Sequence, residues 1–98
     1  TTIKWIIFEI LVKRLIKFGH RKIALINIHQ SFNYGYQRKI SYERTLKKNN
    51  ISLDKKYYQE SLLGSTDNGV KLTRKLLSLK KPPTAIICSL DKFFIGSL

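Results

Sequence analysis

Two short runs constrain this chain more than anything else in it. Lys22-Ile23-Ala24-Leu25-Ile26-Asn27-Ile28 and Thr84-Ala85-Ile86-Ile87-Cys88-Ser89 are almost continuously apolar and rich in β-branched residues. A strand with one wet face alternates. A run without alternation fits a strand buried on both faces, which mostly means a parallel sheet covered by helices. Pro82-Pro83 stop the basic segment before the second run, and Asp91 beyond it can open another helix. Ligands of open parallel sheets bind beyond the carboxyl ends of the strands. Ser89, Leu90 and Asp91 therefore mark the expected rim of a binding cleft.

The segments between these runs read as helices. From Ile3 to Phe18, the residues Ile6, Ile7, Ile10, Leu11, Leu15 and Phe18 recur at helical spacing, and Gly19 follows as a C′ residue after Lys13, Arg14 and Lys17. His29 to Tyr36 reads as a polar, aromatic loop. Arg38 to Asn49 reads as a helix with Ile40 and Leu46 turned inward, closed by Asn49-Asn50. Tyr57 to Leu63 is a weaker third strand. Gly64-Ser65-Thr66-Asp67 supplies turn and N-cap residues for a helix over Asn68 to Leu79, with Val70, Leu72, Leu76, Leu77 and Leu79 apolar. A last helix is expected from Asp91 to Leu98. The order α-β-α-β-α-β-α implies right-handed crossovers and an α/β fold of three layers: a small parallel sheet between helices, with Rossmann-like topology.

Length and composition narrow the function classes. At 98 residues the chain is one domain at most. Nineteen Lys and Arg against six Asp and Glu leave a formal net charge of +13. Such an excess suits nucleic acid or an anionic membrane surface, but the bases are spread along the whole sequence, which favours lysines on ordinary solvated faces. Trp5, Phe8 and the lysines of the first segment could form a membrane-surface helix, and a helix packed on a sheet, with the same pattern, is preferred. That segment is too short and too charged to span a bilayer and lacks a signal-peptide cleavage site. Cys88 is the single cysteine, so no internal disulfide can form; inside an apolar run it reads as a small buried hydrophobe, in keeping with a reducing, cytoplasmic setting. The absence of an initiator Met, and first residues that already resemble the middle of an element, suggest part of a longer protein.

Enzyme chemistry finds little support. No G-x-G-x-x-G or Walker loop follows either apolar strand, and no G-x-S-x-G elbow is present. His20 and His29 lack a third ligand at metal spacing, so no metal and no cofactor are expected; His20 reads as part of the helix-to-strand turn.

Several motifs then fall in a familiar order. Leu15-Ile16-Lys17-Phe18-Gly19-His20-Arg21-Lys22-Ile23-Ala24 is similar to the HLI-x-LGHR-x-IA signature of the lactose/galactose repressor family. Arg38-Lys39-Ile40-Ser41-Tyr42 resembles that family's R-x-x-G-[FY], and Asn50-Ile51 its GI or NI. Asn68-Gly69-Val70 stands where the family has a Gly-aromatic pair. Pro82-Pro83-Thr84-Ala85-Ile86, Leu90-Asp91 and Ile95-Gly96 resemble PPTAI…ND…A-x-G. The ordered set runs from about residue 13 to 98. The resemblance implies part of the carboxy-terminal subdomain of a periplasmic-binding-protein-like effector domain, over residues 1–98, with residues 1–12 atypical of the family. It implies a parent that is a homodimer, closes on a small sugar or nucleobase, and touches DNA through a headpiece absent from this chain.

The chain departs from the pattern at three ligand-side positions. Ser41 replaces a Gly, Leu90 replaces the Asn of ND, and Gly64 falls near the place where some members put an aromatic that stacks on ligand. Leu90 cannot make the hydrogen bond its position normally offers, a contact worth about 0.5–1.5 kcal/mol.

Arg38 is the leading site candidate, since it begins a helix after the carboxyl end of a strand. Its planar guanidinium can donate paired hydrogen bonds to vicinal hydroxyls or to a carboxylate. The alternative is a solvated helix arginine. Asp91 reads first as an N-cap and second as a partner of a ligand hydroxyl. Phe32, Tyr34 and Tyr36, in the loop before Arg38, could stack on a sugar or base face, or cover the sheet edge. By resemblance, Phe93 and Phe94 on the last helix fall at a dimer interface. The expectation is one wall of a small-molecule-sensing domain of a transcriptional regulator that binds effector weakly by itself. Its rivals are a fragment of a periplasmic sugar-binding protein and a basic nucleic-acid or membrane-surface module.

Overall fold

From Ile23 to Ile28 every residue of the first apolar run is buried, and successive residues serve alternate layers. A computed structural model of the chain describes residues 2–89, with side chains from Glu9 onward. Within it, α1 (Thr2–Lys17), β1 (Ile23–Ile28), α2 (Asn33–Lys48), a single 3₁₀ turn (Lys55–Tyr57), β2 (Tyr58–Ser61), α3 (Thr66–Leu77) and β3 (Ala85–Cys88) follow in that order. The strands lie β2-β1-β3, and both pairings are parallel. Ile23 and Leu25 face Val12 and Ile16 of α1 and Tyr42 and Leu46 of α2. Ala24, Ile26 and Ile28 face Leu76 and Leu72 of α3. Helices therefore cover both faces, which is why β1 tolerates no polar alternation. Burying each Ile or Leu of β1 contributes about 1.5–3 kcal/mol. The three-layer parallel α/β architecture expected from the sequence is the one observed.

Helix ends are set by local chemistry. Gly19 has φ +96° at the C′ position of α1, where Gly19 N–H donates to the Ile16 carbonyl and His20 N–H to the Leu15 carbonyl. Asn50, at φ 60°, repeats this pattern after α2, and Ile51 then packs against Leu46. These are paired left-handed caps of the kind glycine and asparagine accept. Ser65 caps α3 by accepting from the Asn68 N–H. Arg14 and Lys17, Lys47 and Lys48, and Arg74 and Lys75 occupy the last turns of the three helices, where cations complement the helix dipole. His20 serves the helix-to-strand turn as expected: its Nδ1 lies 2.8 Å from Thr84 Oγ1, tying the entrances of β1 and β3 together.

Four expectations need correction. Among the described side chains of α1, Val12 and Ile16 are the buried ones, whereas Ile10, Leu11 and the following Phe18 are exposed. The mean direction of a mostly apolar helix does not say which stripe meets the neighbouring helix, and here α2 selects it. α2 starts at Asn33, five residues before Arg38, because Gly35 lets its first turn settle directly on β1. β2 is trimmed to Tyr58–Ser61, with Leu62 and Leu63 exposed. α3 begins at Thr66 rather than Asn68 and leaves Leu77 exposed, since Leu76 already fills the interior position. The expected helix Asp91–Leu98 lies outside the described residues. Among those described, no helix is long and apolar enough to cross a membrane.

Tyr42 links α2 to β1. Its hydroxyl donates to the Ile23 carbonyl at 2.6 Å, and burial pushes its pKa well above the usual phenol value. A raised acid pKa means the unfolded chain releases its proton first. Stability from this group is therefore complete below about pH 10 and falls by about 1.4 kcal/mol per pH unit above it. Urea unfolding from pH 8 to 11 is expected to show this decline. Tyr42→Phe, which also forfeits about 1 kcal/mol of hydrogen bonding, should make it shallower; an unchanged slope would assign the decline to other groups.

Candidate functional site

The carboxyl ends of the three strands gather the loops 29–32, 62–65 and residue 89 at one end of the sheet. The register sets this arrangement: Ile28 is opposite Ser61 and Ile26 opposite Cys88. The ladders continue past the strand ends. His29 N–H donates to the Ser61 carbonyl at 2.9 Å, Ser89 N–H to the Ile26 carbonyl at 3.0 Å, and Ile28 N–H to Ser89 Oγ at 3.0 Å. Ser89, buried at the expected rim, thus acts as a rung that fixes where β3 stops.

Arg38 is buried, only 5% exposed, in the second turn of α2. Its guanidinium carbon lies 4.4 Å from the centre of the Tyr34 ring, a cation–π stack between residues one helical turn apart. Tyr34 is itself fixed, since its hydroxyl donates to the Ser89 carbonyl at 2.8 Å. The stack therefore ties the guanidinium to the end of β3 and removes most of its rotamer freedom. Arg38 is not a solvated helix arginine.

Tyr36 and Phe32 remain half exposed. Two residues along a helix turn the side-chain direction by about 200°, so Tyr36 and Arg38 leave opposite sides of α2 and Tyr34 shares the arginine's side. Gly64 lies in the loop between β2 and α3, at the carboxyl edge. That loop is pinned by Ser61 Oγ and Asn68 Nδ2, which both donate to the Leu63 carbonyl. Leu90, Asp91, Phe93 and Phe94 fall outside the described residues.

A polar network beneath the rim was not anticipated. Asn27 is fully buried on the α2 side of β1. Its Nδ2 donates to the Gly35 carbonyl at 2.8 Å and to the Tyr58 hydroxyl at 3.1 Å. Tyr58 in turn donates to Glu60 Oε2, and Glu60 Oε1 lies 3.6 Å from His29 Nε2. His29 Nδ1 accepts from the Ser31 N–H, which leaves Nε2 as the nitrogen directed at Glu60. Burial first, and then the bond to Glu60, raise the Tyr58 pKa, so its hydroxyl stays protonated and donating. One signal for this network was available: an Asn inside an otherwise apolar buried strand must have partners.

The network connects β1, β2 and the first turn of α2 immediately under the rim. Phe32, at the N-cap of α2, supplies no capping oxygen, so the helix's positive end faces the rim uncapped by a side chain. Fixed donors of this kind suit hydroxyls, carbonyls or a carboxylate on a small molecule. Among the described residues, no three His, Cys, Asp or Glu side chains gather as a metal ion would require. A hollow of about 290 Å³, lined by residues including Lys39, Tyr42, Leu53 and Lys55, lies beside α2 and is bordered by Tyr58 of this network.

The carboxyl end of this parallel sheet thus holds an arginine fixed by Tyr34 and the end of β3. No protein-family model matches the chain. The probable HTH-type transcriptional repressor ExuR of Bacillus subtilis is 35% identical over 89 residues, which are 89% of this chain and 26% of that protein. The HTH-type transcriptional regulator AglR of Rhizobium meliloti is 29% identical over 84 residues, 86% of this chain and 23% of that protein. Among solved structures, a LacI-family regulatory protein from Chloroflexus aggregans superposes with a TM-score of 0.87 at 27% identity, over 92% of this chain and 32% of that one. The transcription regulator CcpA of Lactococcus lactis superposes with a TM-score of 0.80 at 27% identity, over 91% of this chain and 32% of that one. The chain is similar to one segment of LacI-family transcriptional regulators. It spans about a quarter of the length of the curated relatives it matches.

Proposed function

We propose that this chain forms one wall of the effector cleft of a LacI-type regulator, and that the effector is a sugar-like small molecule. The observation that supports this most is the Arg38–Tyr34–Ser89 clamp, which holds a guanidinium rigid at the carboxyl end of the sheet. A guanidinium fixed in this way offers paired donors to vicinal hydroxyls without the entropy cost of ordering a free side chain. The second wall, and a helix-turn-helix part that reads DNA, belong to other portions of the regulator, which works as a homodimer in the cytoplasm. Effector closing the two walls together shifts the population of forms that the DNA-reading part senses.

Ligand sites bury most of their ligand between opposing walls. The 98-residue chain alone is therefore expected to bind monosaccharides at about millimolar affinity or weaker. In a nuclear magnetic resonance titration with a panel of sugars and nucleobases, shift changes should cluster at residues 29–38, 62–65 and 89. Arg38→Gln, which removes the forked donor while keeping helix propensity, should abolish them in a chain that circular dichroism shows to be still folded. Micromolar binding by the unaltered chain would overturn the one-wall reading. Shifts that survive Arg38→Gln would remove Arg38 from it.

A further inference from the structure

We propose that the opposite end of the molecule, where the strands begin, is a docking surface for the phosphate backbone of duplex nucleic acid. In a parallel sheet linked by helices, every helix ends at the edge where the next strand starts. The helix-end cations described above therefore gather at one end of the fold, although three separate stretches of sequence supply them. The loops leading into the strands add Lys22, the pair Lys55-Lys56 and the pair Lys80-Lys81, all exposed.

Hydrogen bonds confirm that these loops meet. Tyr57 donates through its hydroxyl to the Lys81 carbonyl at 2.7 Å, and Thr84 N–H donates to the Lys22 carbonyl at 2.8 Å. Lys56, Lys80 and Lys81, with Asp54 and Ser78, border an open groove of about 630 Å³ there. Among the described residues the other carboxylates sit elsewhere: Asp67 in the first turn of α3, Glu60 near the end of β2, and Glu9 and Glu43 along the helices. Among the described residues this end thus concentrates cations, with Asp54 the carboxylate beside them.

That end fits a nucleic-acid backbone better than a lipid surface. The large apolar side chains exposed beside these cations, Phe18, Leu53 and Leu77, come from three different segments, whereas a helix that inserts into a membrane surface presents a continuous apolar face along itself. Along a duplex phosphates recur every ~1.7 Å of axis, so cations spread over one face meet several of them at once. Scattered lysines act as point charges toward phosphates and carry no base readout, so the contact is independent of sequence. The surface lies across the sheet from the effector rim, and the two can be occupied together.

The test is fluorescence anisotropy of the 98-residue chain with a random 20-base-pair duplex across 50–200 mM NaCl. Affinity should fall steeply with salt. Lys56→Gln with Lys81→Gln should weaken binding about tenfold at 0.1 M salt and make the log–log salt slope shallower by about one to two. The charge-matched pair Lys39→Gln with Lys71→Gln, each in the second turn of its helix and so toward the other end of the sheet, should stay within about twofold. Absence of duplex binding, equal losses from the two pairs, or tighter binding to phosphatidylserine vesicles than to duplex at the same salt would each overturn the proposal. The sugar titration reads the other end of the molecule, so either reading can fail without the other.

Discussion

Gly35→Ala is expected to destabilise the chain by about 3 kcal/mol, enough to leave a domain of this size largely unfolded at moderate temperature. A Cβ at position 35 would stand 2.3 Å from the Ile28 carbonyl oxygen and 2.4 Å from that of His29. Both obstacles are backbone atoms at the end of the central strand, so neither can swing aside as a side-chain tip would. Relief requires lifting the first turn of α2 off β1. That movement breaks the bond from Asn27 Nδ2 to the Gly35 carbonyl and shifts the Tyr34–Arg38 stack. Gly19→Ala makes the informative contrast. There an added Cβ meets nothing within 4 Å, and only the left-handed φ of +96° resists it, at about 1–2 kcal/mol. Urea unfolding of the two variants separates close approach from backbone strain. An alanine at 35 as stable as the parent would show that α2 does not rest on β1.

Gly35 also shows what reading along the chain can and cannot reveal. Asn33-Tyr34-Gly35-Tyr36 looks like loop because Gly and Asn punctuate and aromatics lack helical preference. It is helix because β1 needs a residue without a side chain at its end, a requirement set by a neighbour distant from the local pattern. The parallel three-layer plan was legible, since it follows from apolar runs too continuous to have a wet face. The caps at Gly19, Asn50 and Ser65 were legible for the same reason: their causes are local. The inward stripe of α1 was not, because contact with α2 decides that Val12 and Ile16 lie beneath while Ile10 and Leu11 do not.

The site divides in the same way. Arg38 could be picked out by its place after a strand and by family resemblance. Its clamp could not, because Tyr34 looked like one of three loop aromatics and Ser89 is 55 positions further along the chain from it. The placement of charge follows a related rule. Bases that seem evenly spread in sequence recur once per helix end and once per strand entrance, so the winding of the fold stacks them at one end. Evenness along a chain built from repeating α/β units is compatible with extreme polarity in space.

Asn27→Asp is expected to cost more than any other single-atom exchange here, and to do so in a pH-dependent way. The substitution puts an oxygen where Nδ2 now donates to the Gly35 carbonyl at 2.8 Å and to the Tyr58 hydroxyl at 3.1 Å. The carbonyl would then face an acceptor. Tyr58 has one proton and gives it to Glu60, so it cannot satisfy both carboxylates. A charge at a fully buried position without donors is disfavoured by several kcal/mol, and the group resists by raising its pKa. A carboxyl with a folded pKa above its unfolded value of about 4 binds its proton more tightly when folded. The variant should therefore lose least stability below pH 4 and progressively more as pH rises through the folded pKa. Once protonated, the introduced carboxyl can still donate to the Gly35 carbonyl, which is why acid rescues the variant. Asn27→Ala serves as the control: it removes the same bonds and leaves a cavity, costing about 2–4 kcal/mol without introducing a charge. Unfolding of the two variants at pH 4 and pH 7 should give a gap that widens with pH. A constant gap would mean that water reaches position 27, and that the network beneath the rim is wet rather than the dry joint that holds α2 and Arg38 in place.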